Sequence, residues 1–339
     1  MKYFVTGGTG FIGRCVLRQL RDAGHEVIAL VRSPEKANMI AGQGVQTVVG
    51  DVTDKESMRA AMSGVDGVFH LAAWYRIGAY ERWRAEAVNV GGTRNVLELV
   101  RELNVPKAVY TSTLAVNSHT RGVIVDESYR YFGSHLSIYD ETKWRAHYQV
   151  ALPLMQQGLS LVIVQPGLVY GPGDESLVAQ TLRLYLLGRL PVAPRETAFC
   201  FAHVEDVARG HLLAMEKGRV GETYFICGPP LTFTEALSIC ERITGKKAPK
   251  FLVPPLAMKA ASVAAGLLGR VIRLPEPYTA EALRVNAGTT YLGSDAKARR
   301  ELGFSTRPID EGLRETLSYE MKKLGMPVPY RESDTPLGH

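Results

Sequence analysis

A glycine-rich segment near the start of the chain constrains the fold more than any other feature of the sequence. The run TGGTGFIG carries glycines in a GxxGxxG pattern, between an apolar strand-like run (residues 2–6) and an amphipathic helical one (residues 11–24). In a strand–turn–helix unit, such glycines permit a tight turn, close approach to a pyrophosphate, and close helix–strand packing. The helix N-terminus also offers N–H groups to the phosphates, so the context favours a dinucleotide site over a purely structural turn. The residues predicted to form it are Gly7, Thr9, Gly10, Phe11, Ile12 and Gly13.

The first half of the chain alternates short apolar runs with longer helical patterns. The strand-like runs are residues 2–6, 26–31, 45–49, 67–71, 107–111 and 161–165. This alternation predicts βαβ units, and right-handed crossovers then give a doubly wound parallel sheet. We therefore predict an α/β protein whose dinucleotide-binding Rossmann domain spans residues 1–170.

Proline and glycine become frequent after about residue 170, and they divide the chain into short helical pieces without regular strands. This change of pattern predicts a second, smaller, mostly helical lobe that binds the substrate. We assign residues 171–195 and 229–339 to this lobe, and we expect residues 196–228 to return to the first domain.

Charge and cysteine content exclude several classes of protein. The net charge of +6 is shared evenly between the two halves of the 339-residue chain, so no basic tail favours a nucleic-acid partner. The four cysteines have no CxxC spacing, which argues against a disulfide scaffold and a metal site. The N-terminus lacks the apolar run of a signal peptide, and the longest candidate membrane segment, residues 260–269, is about half a bilayer span. We expect a cytoplasmic protein with no membrane span and a small-molecule substrate.

The end of the second strand determines which dinucleotide fits. A carboxylate there would bind the ribose 2′-hydroxyl of NAD, whereas an arginine accommodates the 2′-phosphate of NADP. The chain has no acid at the tip of this strand but has Arg32, with Ser33 and Lys36 close by. We therefore predict NADP over NAD, the alternative being that Arg32 is only a solvated surface charge.

Tyr139 and Lys143 open a helical stretch as YDETK. Residues four apart lie on one helix face, and an ammonium near a phenol lowers the phenol pKa. Tyr139 is therefore a candidate general acid and base. Upstream, the strand at 107–111 runs into Thr111, Ser112 and Thr113, a hydroxyl cluster at the edge where such sheets bind ligands.

These motifs together resemble the extended short-chain dehydrogenase/reductase family, also described as NAD-dependent epimerases and dehydratases. The resemblance covers nearly the whole chain. Its motifs, in order, are TGGTGFIG, GDV, FHLAA, VNVGGT, VYTST, YDETK, QPGLVYGPGD, FAHVEDVARGHLLAM and DAKARRELGFSTRPIDEGLRET.

The resemblance implies roles for particular residues. Tyr139 is the expected acid and base, Lys143 its activator and the residue that holds the nicotinamide ribose, and Thr113 the group that hydrogen-bonds the reacting oxygen. The further positions that the resemblance places against the cofactor are Asp51, Val52, Leu71, Ala72, Ala73, Thr111, Ser112, Pro166, Gly167 and Val169. It also implies a homodimer formed through helices at about residues 80–103 and 138–157.

Two departures from the nucleotide-sugar enzymes of this family bear on the substrate. Leu168 stands where an asparagine is common, and Phe199 stands where an arginine often meets a diphosphate. Both favour a branch similar to dihydroflavonol reductases and 3β-hydroxysteroid dehydrogenases. Trp74 and Tyr75 could wall a pocket for a flat or apolar substrate, or only pack a loop.

Two alternatives to a reductase stay open. One is a nucleotide-sugar epimerase or dehydratase with tightly bound NAD(P), and the other is a non-catalytic NADPH-sensing protein. His203 and Asp206 are interpreted as structural residues rather than catalysts.

Overall fold

A seven-stranded parallel sheet forms the centre of the protein in the computed structural model, which describes residues 1–78 and 81–328. The strands of the described residues are β1 Lys2–Thr6, β2 Glu26–Val31, β3 Gln46–Val49, β4 Gly67–His70, β5 Ala108–Thr111, β6 Leu161–Pro166, β7 Leu168–Tyr170, β8 Val192–Pro194, β9 Ala198–His203, β10 Thr223–Ile226, β11 Pro230–Thr232, β12 Phe251–Val253 and β13 Thr290–Tyr291. The main sheet has the order β10-β6-β5-β4-β1-β2-β3. The chain reverses its direction of winding between β1 and β4, which is the point where ligands bind in such sheets.

Helices cover both faces of this sheet. They are α1 Phe11–Asp22, α2 Pro34–Asn38, α3 Glu56–Met62, α4 Arg82–Ala85, α5 Thr93–Glu102, α6 Ile138–Arg145, α7 Leu152–Gln156, α8 Leu177–Leu186, α9 Val204–Lys217, α10 Phe233–Thr244, α11 Pro255–Leu268, α12 Ala280–Val285, α13 Ala296–Leu302 and α14 Ile309–Lys323. The π-helical segments Glu86–Gly92 and Ala146–Ala151 join α4 to α5 and α6 to α7. The two long helices expected at about 80–103 and 138–157 are thus continuous over residues 82–102 and 138–156, while residue 80 lies outside the described residues. The dimer that these helices would form stays a prediction.

The strands of the main sheet are nearly continuous apolar runs because both sheet faces are buried. Val5 packs in the core on the side of α1 with Leu17, and Phe4 packs on the opposite side with Val96. The six strands predicted from the sequence begin and end within one residue of those observed. The predicted doubly wound parallel sheet is confirmed.

Residues 196–228 only partly rejoin the main sheet. Helix α9 packs against α1, and β10 pairs parallel to β6 at the sheet edge. Strand β9, however, pairs with β7, β11 and β13 in a second sheet. Ala198–His203 therefore does not pair with the main sheet, and the assignment of residues 196–228 to the first domain stays a prediction.

The second lobe also contains strands that the sequence analysis did not predict. Besides the four-stranded sheet, β12 pairs parallel to β8. Several of these strands have only two or three residues, too few for an alternating pattern to stand out from the surrounding loops. The lobe is therefore helical with a small sheet, rather than a set of helices without regular strands.

Among the described residues no helix is both long and apolar enough to cross a membrane. All four cysteines are free thiols. The described part of the chain holds no cluster of His, Cys, Asp and Glu suited to a metal ion.

Candidate active site

The glycine turn joins the carboxyl end of β1 to α1. Gly7 has a φ of +75°, and the Gly10 N–H donates to the Gly7 carbonyl at 2.9 Å. A Cβ on Gly13 would lie 2.1 Å from the Gly7 carbonyl oxygen, so only glycine fits there. No side chain caps the start of α1, and its first turn carries no acid. The uncapped N–H groups and the positive end of the helix dipole fit the pyrophosphate of a dinucleotide.

The segment after β4 lies directly against this turn. A Cβ on Gly7 would lie 2.6 Å from the Ala72 nitrogen, and the Ala72 N–H donates to the Thr6 hydroxyl at 3.2 Å. His70 joins the Thr6 hydroxyl (2.8 Å) to that of Thr93 (3.1 Å), and burial lowers its pKa to about 3. The neutral imidazole therefore ties α5 to the strand ends. The sequence predicts cofactor contacts for the residues in this segment, Leu71, Ala72 and Ala73. It did not identify His70 as a site residue, because a lone histidine in a sequence does not show which residues it contacts.

Further residues that the sequence predicts to contact the cofactor follow the carboxyl ends of β2 and β3. The Gly50 N–H donates to the Val31 carbonyl at 2.9 Å, which brings the strand ends carrying Arg32 and Asp51 together. Arg32 is exposed, and Lys36 is half-buried in α2. A hydrogen bond from Ser33 lowers the pKa of Glu35, so this hydroxyl is already engaged. Val52 is buried, and a Cβ on Gly92 would lie 2.7 Å from its Cγ2.

Lys143 is held in the interior, on the side of β5. Its ammonium donates to the Thr111 carbonyl at 2.8 Å and to the Tyr110 hydroxyl at 3.2 Å. Its exposed fraction is 2%, and burial lowers its pKa to about 7. Tyr110 was missed by the sequence analysis, because its side chain lies within an apolar strand run that reads as core.

Tyr139 lies beside Thr113, whose side chain acts to lower the Tyr139 pKa. Burial raises the pKa of Tyr139, and the neighbouring Tyr75 adds to the rise. Burial therefore outweighs any lowering of this pKa by Lys143, and the role of Lys143 as the activator of Tyr139 stays a prediction. The Lys143 ammonium bonds to Thr111 and Tyr110, while the Tyr139 phenol is withdrawn from water.

The three hydroxyls after β5 have different partners. Thr111 bonds to His211 Nε2 at 2.9 Å, and Ser112 bonds to His147 Nδ1 at 2.9 Å. Thr113 instead caps the short 3₁₀ helix Leu114–Asn117, accepting from the Ala115 N–H, and also meets Tyr139. Of these three side chains, Thr113 is the one that interacts with Tyr139.

The loop after β4 forms one wall of the site. The Tyr75 ring meets the Tyr139 ring edge to face, with centroids 4.8 Å apart, and is 51% exposed. The backbone of Trp74 is held on both sides by Asn89, through N–H to Oδ1 (2.7 Å) and Nδ2 to carbonyl (3.1 Å). Asn89 also donates to the Thr142 hydroxyl in α6 at 2.9 Å. This buried amide was missed, although an asparagine between valines in a helical pattern is a recognisable irregularity.

The second lobe contacts α6 next to Tyr139, through Asp140. Phe199 stacks on Tyr291 with centroids 5.8 Å apart, and the Tyr291 hydroxyl donates to Asp140 at 2.7 Å. Burial raises the pKa of Asp140 to about 7. Neither Asp140 nor Tyr291 was predicted as a site residue, because their contact joins positions 151 residues apart.

The segment at Pro166–Val169 runs from the main sheet into the second one. A Cβ on Gly167 would lie 2.1 Å from the Cys200 carbonyl, so β9 passes directly over this glycine. Leu168 pairs with Phe201 in register and packs on the core of the second lobe. Pro166 and Val169 flank this crossing, where the sequence predicts backbone contacts to the cofactor.

His203 and Asp206 lie outside this constellation. The Asp206 carboxylate accepts from the backbone and the guanidinium of Arg307, at 2.9–3.2 Å. His203 is buried at the start of α9, with Nε2 3.5 Å from Glu315. Both residues join α9 to the C-terminal part of the chain.

The described residues line two cavities away from Tyr139 and Lys143, among others. One, of ≈ 560 Å³, lies between α1 and α9 and contains none of the predicted catalytic residues. The other, of ≈ 530 Å³, lies between the segment that follows Thr113 and the one that precedes α6. Its lining residues are Ser118, His119, Thr120, Arg121, Tyr129, Arg130, Tyr131, Phe132, Gly133 and Leu136.

Comparison with known proteins identifies the family. Residues 3–227 match the model of the NAD dependent epimerase/dehydratase family. The chain is 32% identical over 326 residues to a putative dihydroflavonol 4-reductase of Synechocystis sp., covering 94% of each chain. It is 33% identical over 315 residues to the 4-hydroxy-2-methyl-3-oxo-4-farnesyl-3,4-dihydroquinoline-1-oxide ketoreductase of Stigmatella aurantiaca, covering 91% of this chain and 92% of that one.

Among solved structures, the UDP-glucose 4-epimerase of Thermotoga maritima with UDP-glucose has the same fold. Its TM-score is 0.75 at 24% identity, over 96% of this chain and all of that one. The family match, the reductase relatives and the shared fold lead to one conclusion. This chain is an enzyme of the extended short-chain dehydrogenase/reductase class and belongs to the NAD dependent epimerase/dehydratase family.

Proposed function

We propose that this enzyme is an NADP-dependent oxidoreductase that interconverts a carbonyl and a secondary alcohol on a small, largely apolar organic molecule. The observation that carries the proposal is that Tyr139 lies beside Thr113 and next to aromatic side chains. Tyr75 lies on one side of Tyr139, and the stacked pair of Phe199 and Tyr291 lies on the second-lobe side of α6.

The cofactor would lie along the carboxyl ends of the strands. The glycine turn and the N-terminus of α1 would hold the pyrophosphate, and Arg32 would pair with the 2′-phosphate. Lys143 would hold the nicotinamide ribose. When bound, the nicotinamide supplies or accepts the hydride.

The protein's own residues handle the proton and the oxygen. Because burial raises its pKa, Tyr139 stays protonated at neutral pH and can donate to the oxygen of a carbonyl as that oxygen gains charge. The Thr113 hydroxyl donates a second hydrogen bond to the same oxygen. The ammonium of Lys143 stabilises the phenolate that remains.

The apolar walls set the class of substrate. An arginine at position 199 would offer a charge-assisted bond to a diphosphate, worth about 1.5–3 kcal/mol. Phe199 instead offers a ring face that stacks on Tyr291. The names of the reductase relatives agree with a ketone or alcohol carried on an apolar framework.

The test is NADPH oxidation with a panel of flavonoid, steroid and alicyclic ketones, alongside UDP-glucose and UDP-galactose. We expect turnover of at least one apolar ketone, and about 10²–10⁴-fold slower turnover in Tyr139→Phe with NADPH binding retained. Tyr148→Phe, on the same helical stretch, is the matched control and should retain activity. Interconversion of the UDP-sugars without net NADPH oxidation would overturn the proposal in favour of an epimerase.

A further inference from the structure

The surface around α11 differs in composition from the rest of the molecule. Residues 245–275 contain six basic side chains and no acidic one. The basic residues are Lys246, Lys247, Lys250, Lys259, Arg270 and Arg273. Apolar side chains that a soluble surface normally buries are exposed in the same segment.

The exposed apolar side chains lie on α11 and in the segments directly before and after it, and we call this set the α11 face. It consists of Phe251, Leu256, Val263, Leu267, Leu268, Val271 and Ile272. Their exposed fractions run from 49% to 83%. Leu256, Val263 and Leu267 are separated by seven and four residues, so they lie in one stripe along the helix.

The opposite side of α11 explains why this stripe faces outward. The Ser262 hydroxyl donates to the Ala280 carbonyl at 2.8 Å, and a Cβ on Gly266 would lie 3.6 Å from the Ala280 Cβ. Small residues thus dock α11 on α12, while the large apolar side chains point away from the protein. An exposed apolar surface of this kind marks an interaction site.

We propose that the α11 face docks on the surface of an anionic lipid bilayer, with its apolar side chains in the acyl boundary and its basic side chains at the lipid headgroups. A helix that is too short to span a membrane can still lie in the interface plane. Stable attachment needs two signals, and here buried apolar area is combined with a cluster of cations.

Charge favours a bilayer over a second copy of the chain. A two-fold interface places the same patch on both sides, so a dimer through this face would bring two copies of the exposed Lys250 and Arg270 together. An anionic surface neutralises those cations.

The α11 face is connected to the candidate active site through one helix. The Glu281 carboxylate in α12 accepts from the Gly78 N–H of the loop that carries Tyr75, and from the Ile138 N–H at the start of α6. An apolar molecule dissolved in the bilayer would therefore meet the protein on the side where the site's aromatic wall is formed. Docking itself does not depend on the proposed reaction.

Co-sedimentation with vesicles tests the proposal directly. One set contains phosphatidylcholine and phosphatidylglycerol in equal amounts, and the other contains phosphatidylcholine alone. We expect at least tenfold stronger binding to the anionic set, and a clear loss of binding between 0.1 M and 0.5 M salt because the screening length shortens. Equal binding to both sets, or a wild-type protein that stays in the supernatant, would overturn the proposal.

Variants separate the two signals. Lys250→Gln with Arg270→Gln should weaken binding to anionic vesicles about fivefold per cation removed. Leu267→Ser with Val271→Ser should weaken it to a similar or greater extent. All four positions are exposed, so the melting temperature should not change.

Matched controls come from the other domain. Lys217→Gln and Val220→Ser change an exposed cation and an exposed apolar residue away from the α11 face, and both should bind vesicles like the wild type. Sedimentation equilibrium of Leu267→Ser with Val271→Ser gives the last readout. A change in association state with unchanged vesicle binding would make this face an interface between copies and would overturn the proposal.

Discussion

Tyr291 of β13 donates a hydrogen bond of 2.7 Å to the Asp140 carboxylate, next to Tyr139 on α6. The contact ties the second lobe to the helix that carries Tyr139 and Lys143, two of the three predicted catalytic residues. It is also buried, with exposed fractions of 7% for Tyr291 and 2% for Asp140. The alignment of Tyr139 therefore depends on a residue from the far end of the chain.

Asp140 should make stability depend on pH. Burial raises its pKa from 3.8 to about 7, so between these values the folded state binds more protons than the unfolded state. The contribution of Asp140 to the free energy of unfolding therefore falls as pH rises through this window. We expect the melting temperature of Asp140→Asn, relative to wild type, to increase from pH 4.5 to pH 7.5.

The phenol of Tyr291 should matter most when Asp140 is charged. Tyr291→Phe should lower the free energy of unfolding by about 1–3 kcal/mol at pH 8, because it leaves a buried carboxylate without its donor. The loss should be smaller at pH 5, where Asp140 is protonated. A loss that is equal at both pH values, measured by urea unfolding, would contradict the assigned role of this pair.

The two neighbouring hydroxyls should respond differently to mutation. Thr113→Val should reduce kcat about a hundredfold or more, because it removes the hydrogen bond beside the reacting oxygen. Ser112→Ala should leave kcat within a few-fold but cost about 1–3 kcal/mol of stability, since His147 loses its buried partner. Steady-state kinetics and thermal melts of both variants check this. Equal kcat losses would show that Thr113 has no special position.

Arg32 should determine the choice between NADPH and NADH. Arg32→Asp removes a charge-assisted contact to the 2′-phosphate, so we expect the KM for NADPH to rise about 10–100-fold. The KM for NADH should stay constant or fall. Lys217→Asp makes the same change of charge at a distant exposed position and is the control. A wild-type enzyme with no preference between the cofactors would contradict the prediction.

Gly13 should tolerate no side chain. In Gly13→Ala the new Cβ would lie 2.1 Å from the Gly7 carbonyl oxygen, forcing the turn open. We expect a loss of about 1–3 kcal/mol in stability and at least tenfold weaker NADPH binding. Gly42→Ala is the matched control, because no atom lies within 4 Å of its added Cβ. Calorimetric titration with NADPH distinguishes the two variants.

Local pattern was enough to predict the first six strands of the main sheet. Each of them is an apolar run, and β1 to β4 are each followed by a helical pattern, so their positions follow from neighbouring residues alone. The same applies to the glycine turn, since the φ of Gly7 and the close approach at Gly13 are requirements of the turn itself. The second sheet could not be predicted in this way, because β7 and β13 are too short to carry a period of their own.

The sequence by itself determined the doubly wound sheet, the cofactor turn, and the presence of Tyr139, Lys143 and Thr113 at one edge. Only the tertiary structure decided that Thr113 rather than Ser112 meets Tyr139, that burial raises the Tyr139 pKa, and that Lys143 bonds to Tyr110. The physical reason is that hydrogen-bond partners and burial depend on contacts between residues far apart in the chain, which periodicity and motif spacing do not contain.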